Sequence, residues 1–99
     1  MKYRIEYSPD AVDHLRLLTV REQRLVLDRV DRMLTRDPEV ETRNRKPMRP
    51  NLLAPWELRI GSIRVYYDIE EKPECIVVIL AVGIKERNRV RIGKEVLEL

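Results

Sequence analysis

The sequence predicts an α+β fold on three observations: an opening segment with period-two alternation, two amphipathic stripes joined by capping signals, and a later block of alternating segments rich in Ile, Val and Tyr. In residues 1–7, Tyr3, Ile5 and Tyr7 alternate with Lys2, Arg4 and Glu6, the pattern of a half-buried strand. Ser8-Pro9-Asp10 supplies an N-cap, a proline at the first helical position and an early acid, and Ala11, Leu15 and Leu18 follow at helical spacing. Thr19 and Glu22 have the spacing of a capping box. From Val20 to about Thr35, Val26, Val30, Met33 and Leu34 share one stripe, so a second helix starts where the first ends. Asp37-Pro38 stops it. Residues 37–55 hold four of the six prolines and little apolar periodicity, the composition of a long surface connection. Trp56, Leu58 and Ile60 then alternate with Glu57 and Arg59, Gly61-Ser62 supplies a two-residue turn, and Ile63, Val65, Tyr67 and Ile69 alternate with Arg64, Tyr66 and Asp68. That is a β-hairpin. After polar residues 70–74, the unbroken apolar run 75–82 predicts a strand covered on both faces, in the middle of the sheet and ended by Gly83. The spacing of Ile92, Val96 and Leu99 permits a final helix despite Gly93. The expectation is therefore one domain over residues 1–99: an N-terminal strand, a helical hairpin, then three antiparallel strands forming a twisted sheet packed on the helices, with a basic C-terminal tail or short helix.

Composition narrows the function. A chain of 99 residues has room for one domain. Its 43% hydrophobic content suffices to bury about 60 to 65% of the unfolded surface, enough to fold without disulfides or metal. The lone Cys75 excludes an internal disulfide framework and a Cys-rich zinc site, and suits a reducing cytoplasm. Arg4, Glu6, Asp10, Asp13 and Arg16 interrupt the region where an export signal needs a continuous apolar stretch, and no later run approaches membrane-spanning length. A cytoplasmic protein with no membrane partner is expected. The net charge of +3 conceals an uneven distribution. Residues 43–64 carry Arg43, Arg45, Lys46, Arg49, Arg59 and Arg64 against Glu57 alone, and residues 85–94 carry Lys85, Arg87, Arg89, Arg91 and Lys94 against Glu86 alone. The remainder is acidic. Two concentrated positive segments are what a polyanion such as nucleic acid requires, provided the fold brings them together. His14 is the single imidazole and reads as a surface residue of the first helix. With one His and one Cys there is no Ser, His and Asp set, no metal cluster and no Gly-rich phosphate loop. No metal or cofactor is expected, and any chemistry must run on Arg, Lys, Tyr and Glu.

Counting outward from Gly61-Ser62 pairs Ile60 with Ile63, Arg59 with Arg64, Leu58 with Val65, Glu57 with Tyr66 and Trp56 with Tyr67. One face is wholly apolar or aromatic and must pack against the helices, Trp56 among its anchors. The other sets Arg59 directly beside Arg64. Like charges opposite each other cost stability unless both side chains splay into solvent or an anion lies between them, and the anion is the reading preferred here. Tyr66 and Glu57 share that face, a ring on which a base could stack and a carboxylate that could accept a proton.

With this order of elements, Lys46-Pro47, Trp56-Glu57-Leu58-Arg59-Ile60, Ile63-Arg64-Val65-Tyr66-Tyr67 and Val82-Gly83-Ile84-Lys85-Glu86-Arg87 together resemble the RelE/ParE superfamily of type II toxins over nearly the whole chain. The resemblance is nearest to its RelE-like branch. It implies a ribosome-dependent endoribonuclease that cuts messenger RNA and is silenced by a cognate antitoxin. It further implies that Arg64 contacts the scissile phosphate, with Arg59 in the preceding strand and Lys85 and Arg87 after the last. Glu57 stands where well-known RelE enzymes carry a Lys as proposed general base. Related toxins place a Glu base in the preceding connection, where this chain has Lys46. Arg91 stands about where many members have a stacking Tyr. The expected catalytic set is Arg64, Arg59, Lys85, Arg87 and Glu57. The expected surface for RNA and ribosome comprises Arg43, Arg45, Lys46, Arg49, Tyr66, Arg89 and Arg91. The alternative within the superfamily is a ParE-like inhibitor of DNA gyrase with no catalytic activity.

Overall fold

A computed structural model of the chain describes residues 2–98. Met1 and Leu99, which the sequence reading includes in the first strand and the final helix, lie outside them. Strand β1 (Arg4–Tyr7) leads into helix α1 (Pro9–Arg16) and helix α2 (Val20–Leu34). Both helix starts are built as the capping signals predict: the Ser8 hydroxyl accepts from Ala11 N at 3.1 Å, and Thr19 and Glu22 exchange the two bonds of a capping box. The strands that follow are β2 (Arg45–Pro47), β3 (Trp56–Ile60), β4 (Ile63–Glu70), β5 (Ile76–Glu86), β6 (Arg89–Ile92) and β7 (Glu95–Leu97). They form one sheet in the order β2-β3-β4-β5-β6-β7, with β1 parallel to the first part of β5. Among the described residues no helix is long and apolar enough to cross a membrane.

The helices cover one face of the sheet. Ala11, Leu15, Val26, Val30 and Leu34 meet Leu58, Ile60, Ile63, Val65, Tyr67, Val77, Ile79 and Val82 in a continuous core. Trp56 packs against that core and stacks on Tyr67 with ring centroids 6.0 Å apart, as expected of an anchor. The Tyr67 hydroxyl donates to Pro38 O at 2.8 Å inside the protein, pinning the segment after α2. All five hairpin pairs counted from the Gly61-Ser62 turn are present.

Three expectations need correction. The connection 37–55 is not wholly irregular, because Arg45, Lys46 and Pro47 pair with Leu58, Glu57 and Trp56. Gly83 does not end β5, which continues to Glu86. A Cβ at Gly83 would stand 2.7 Å from Arg91 O and 2.7 Å from Ile92 Cγ1, so the glycine marks the close passage of β6. The tail is neither loose nor helical: β6 and β7 extend the sheet around a Gly93-Lys94 turn, with Gly93 at φ +61°. The period-two run Arg89-Val90-Arg91-Ile92, with the valine and isoleucine buried, overrides the helical spacing of Ile92 and Val96.

His14 also proves to be more than a surface residue. Strand β5 pairs with β1 through Ile79 and with β6 from Gly83, which leaves a gap along that edge. There Val82 N donates to His14 Nδ1 at 3.2 Å, and Leu80 O accepts from the Ser8 hydroxyl at 3.2 Å. Helix α1 thus supplies the partners that the missing strand would have provided.

Candidate anion-binding site

The second face of the sheet carries the site. Pairing across β2, β3, β4 and β5 places Lys46, Glu57, Tyr66 and Ala81 in one row, and across β3, β4, β5 and β6 places Arg59, Arg64, Gly83 and Ile92 in the next. This face is half covered. Met48, Leu53 and Ala54 from the β2–β3 connection pack with Tyr66, Ala81, Val90, Ile92 and Leu97 into a second apolar cluster. Beside that cluster opens a cavity of about 550 Å³, into which Lys46, Arg49, Arg59 and Lys85 bring four cations against the carboxylates of Glu57 and Glu98. The two basic segments of the sequence therefore do meet.

Local structure explains the positions of these side chains. Asn44 brackets Arg59 from the edge, accepting from Arg59 N at 2.8 Å and donating from its amide to Arg59 O at 3.0 Å. Asn51 organises the far wall: its Oδ1 accepts from Leu53 N and Ala54 N, and its Nδ2 donates to Arg49 O and Ala54 O. That is the self-bonding chemistry of an Asn turn, and Pro50-Asn51 was its signal in the sequence. Lys85 projects from β5 on the same side as Ala81 and Gly83. Asn88, from the turn beyond, closes the rim.

At the centre the anion between the two arginines is Glu57. Arg59 Nε donates to Glu57 Oε1 at 2.7 Å, and Arg64 Nε lies 3.9 Å from the same oxygen. The Arg64 side chain is 12% exposed against 45% for Arg59, and its Nη1 donates to Gly61 O at 2.6 Å and Ile63 O at 3.1 Å. The expectation of two guanidinium groups waiting together for an outside guest is corrected accordingly. Arg59 lines the cavity, whereas Arg64 is mostly covered and faces the chain's own carboxylate.

Tyr66 is corrected too. Its ring is buried in the second apolar cluster, so it offers no exposed stacking surface. Its hydroxyl is buried and meets no partner at full hydrogen-bond geometry among the described residues, with the Glu57 carboxylate close by. Burial and the nearby Glu57 carboxylate push its pKa well above the usual tyrosine value, and Arg64 and Arg59 oppose that rise.

The remaining basic residues divide. Arg43 and Arg49 are exposed in the β2 region. Arg45 is committed to structure, donating from Nε to Val40 O at 3.0 Å and from Nη1 to Met33 O at 2.8 Å, where it ties the connection to the end of α2. Lys46 reaches Glu41 at 3.4 Å and Arg89 reaches Glu98 at 3.4 Å. Arg91 pairs with Glu86 at 2.7 Å and lines a different cavity beside His14 and Leu18, away from Glu57. It does not occupy a stacking position at this site. Arg87 is exposed in the β5–β6 turn at φ +59°. The sequence reading missed Asn51, Asn88 and Glu98, because each reaches the cavity through loop or tail geometry rather than through strand register.

No protein-family model matches the chain, and no curated protein matches it. Among solved structures it is similar to the RelBE2 toxin-antitoxin complex from Mycobacterium tuberculosis, with a TM-score of 0.74 and 28% sequence identity, covering 86% of this chain and 93% of that chain. This likeness supports the resemblance to the RelE/ParE superfamily that the sequence carries. In this strand, helical hairpin and antiparallel sheet, the cation-lined cavity lies on the sheet face opposite the helices.

Proposed function

We propose that this RelE/ParE protein is the toxin of a type II toxin-antitoxin system and acts as a ribosome-dependent, metal-independent endoribonuclease on messenger RNA. The observation that carries the reading is the cavity in which Arg59, Lys46, Arg49 and Lys85 surround Glu57. The reaction is attack of an RNA 2′-OH on the adjacent phosphate, leaving a 2′,3′-cyclic end. Negative charge grows on the phosphorane, and a well-placed donor contributes about 2.7 to 4 kcal/mol by analogy with an oxyanion hole. Arg59 and Lys85 fill that role. Glu57 takes the 2′-OH proton, and Arg64 is a positioning residue that holds Glu57 and the hairpin turn. Arg87 at the turn reaches the flanking backbone. Arg43, Arg49 and Arg89 extend the positive surface toward ribosomal RNA, so binding weakens steeply with salt. A cognate antitoxin with an acidic, partly disordered segment would cover the cavity by charge complementarity. The similarity to RelBE2 supports that partner.

The occupation of the arginine pair by Glu57 favours one competing reading, a ParE-like inhibitor of DNA gyrase, because a protein without chemistry needs no vacant anion site. Induced expression in a bacterial host separates the two. The nuclease stops incorporation of labelled methionine before that of labelled thymidine, and arrest in the reverse order supports gyrase inhibition.

A further inference from the structure

Two groups in this site are mismatched in opposite senses. Glu57 holds Arg59 at 2.7 Å and lies 3.9 Å from Arg64, so the guanidinium that faces the cavity is already neutralised. Its direct cross-strand neighbour Tyr66 has a buried hydroxyl that meets no acceptor at full hydrogen-bond geometry among the described residues, with the Glu57 carboxylate close by. A buried hydroxyl without a full acceptor destabilises the fold, and one beside a carboxylate can be satisfied by a second arrangement of that carboxylate.

We infer that Glu57 is a displaceable internal anion: a phosphate entering the cavity takes Arg59, and one oxygen of the Glu57 carboxylate turns to accept from the Tyr66 hydroxyl while the other stays toward the cavity. The geometry supports each part. Arg59 is the arginine with 45% exposure, so its free nitrogens are within reach of a ligand. Arg64 stays behind, fixed by Gly61 O and Ile63 O, and keeps the carboxylate from leaving. Lys46 pairs in register with Glu57 on its other side and joins Arg49 and Lys85 in holding the incoming charge. No covalent bond changes, and Tyr66 keeps its proton. The resting site is thereby tuned against small anions, since each must displace a carboxylate held by a charge-assisted bond. A polyanion bound at several points pays that cost once.

This inference rests on reading the cavity as the phosphate site of the toxin, and its test needs no ribosome. The probes are inorganic phosphate, followed by the Arg59 Nε–H signal, and a short 2′-O-methyl RNA that cannot be cleaved, followed by fluorescence anisotropy. Glu57→Gln keeps the shape and removes the competing charge, and is expected to tighten both ligands about tenfold, the equivalent of one charge-assisted hydrogen bond. Tyr66→Phe is expected to weaken binding about fivefold in the unaltered background and by less than about twofold when combined with Glu57→Gln. In the unaltered protein, the Tyr66 ring carbon bearing the hydroxyl shifts on saturation with phosphate, a readout independent of any variant's folding. Unchanged or weaker binding by Glu57→Gln, an equal loss from Tyr66→Phe in both backgrounds, or a Tyr66 signal that stays still at saturation overturns the inference. Intact messenger RNA in a translation reaction, with the binding pattern as expected, would sink the nuclease reading and leave this one standing.

Discussion

The two faces of the β3–β4 hairpin are built from alternate residues of the same ten-residue pairing, yet they solve different problems. On the helix side, Leu58, Ile60, Ile63, Val65 and Tyr67 are all buried, and the Tyr67 hydroxyl has its acceptor. On the cavity side, one carboxylate serves two guanidinium groups, a buried hydroxyl meets no full acceptor among the described residues, and half the face is open. Strand alternation lets one short ribbon hold the core and the site with no shared side chain. Substitutions on the first face should therefore read out as stability, and those on the second as binding.

The largest loss of stability is expected from Leu58→Ala, which empties a fully buried position and costs about 2 to 5 kcal/mol, measured by urea unfolding. If the comparison is wrong and both faces share the load, Arg59→Ala will cost as much. Alkaline pH comes next. Burial, with a smaller part from Asp31, pushes Tyr7 up to about 12, and Tyr66 and Tyr67 are raised further, burial again being the main cause. In the unfolded chain all three ionise near pH 10, so their contribution is whole below about pH 10 and is lost as pH rises through the folded values. Urea midpoints should fall from about pH 10 upward, and a flat profile there would mean these rings are not held protonated by the fold. Tyr67→Phe removes a buried hydroxyl and strands Pro38 O, at about 1 to 2 kcal/mol. Its activity should be unchanged.

The smallest effect has the opposite sign. The two-residue turns joining β3 to β4, β5 to β6 and β6 to β7 open on Gly61, Arg87 and Gly93, with φ of 58°, 59° and 61°. Glycine adopts this left-handed backbone freely, and arginine pays about 1 kcal/mol for it. Arg87→Gly should therefore stabilise the fold by about that amount while weakening RNA binding. A neutral change in binding would make Arg87 a bystander.

Much of this is legible in the sequence. The Gly61-Ser62 turn set the register of five pairs, and with it the separation of Glu57, Arg59, Arg64 and Tyr66 from the core residues. What lay over that second face was not readable. Alternation says which side a residue takes, but whether water, a loop or a tail meets it depends on contacts remote in sequence. Met48, Leu53 and Ala54 bury Tyr66 from the β2–β3 connection, and β6 and β7 come back alongside in a tail whose apolar spacing permits a helix. Arg45 shows the same limit. Its charge was visible, but the carbonyls of Met33 and Val40 that claim it lie where α2 ends and the connection folds back.

The central claim is that the cation-lined face acts on RNA. Its most direct test is a cell-free translation reaction receiving the purified protein or its Arg59→Ala variant, with messenger RNA ends mapped afterward. The unaltered protein should leave codon-dependent breaks with 2′,3′-cyclic ends, and Arg59→Ala, folded and equally abundant, should cut at least about a hundredfold more slowly. Intact messenger RNA beside inhibited gyrase supercoiling, or cutting by Arg59→Ala at the original rate, would contradict it.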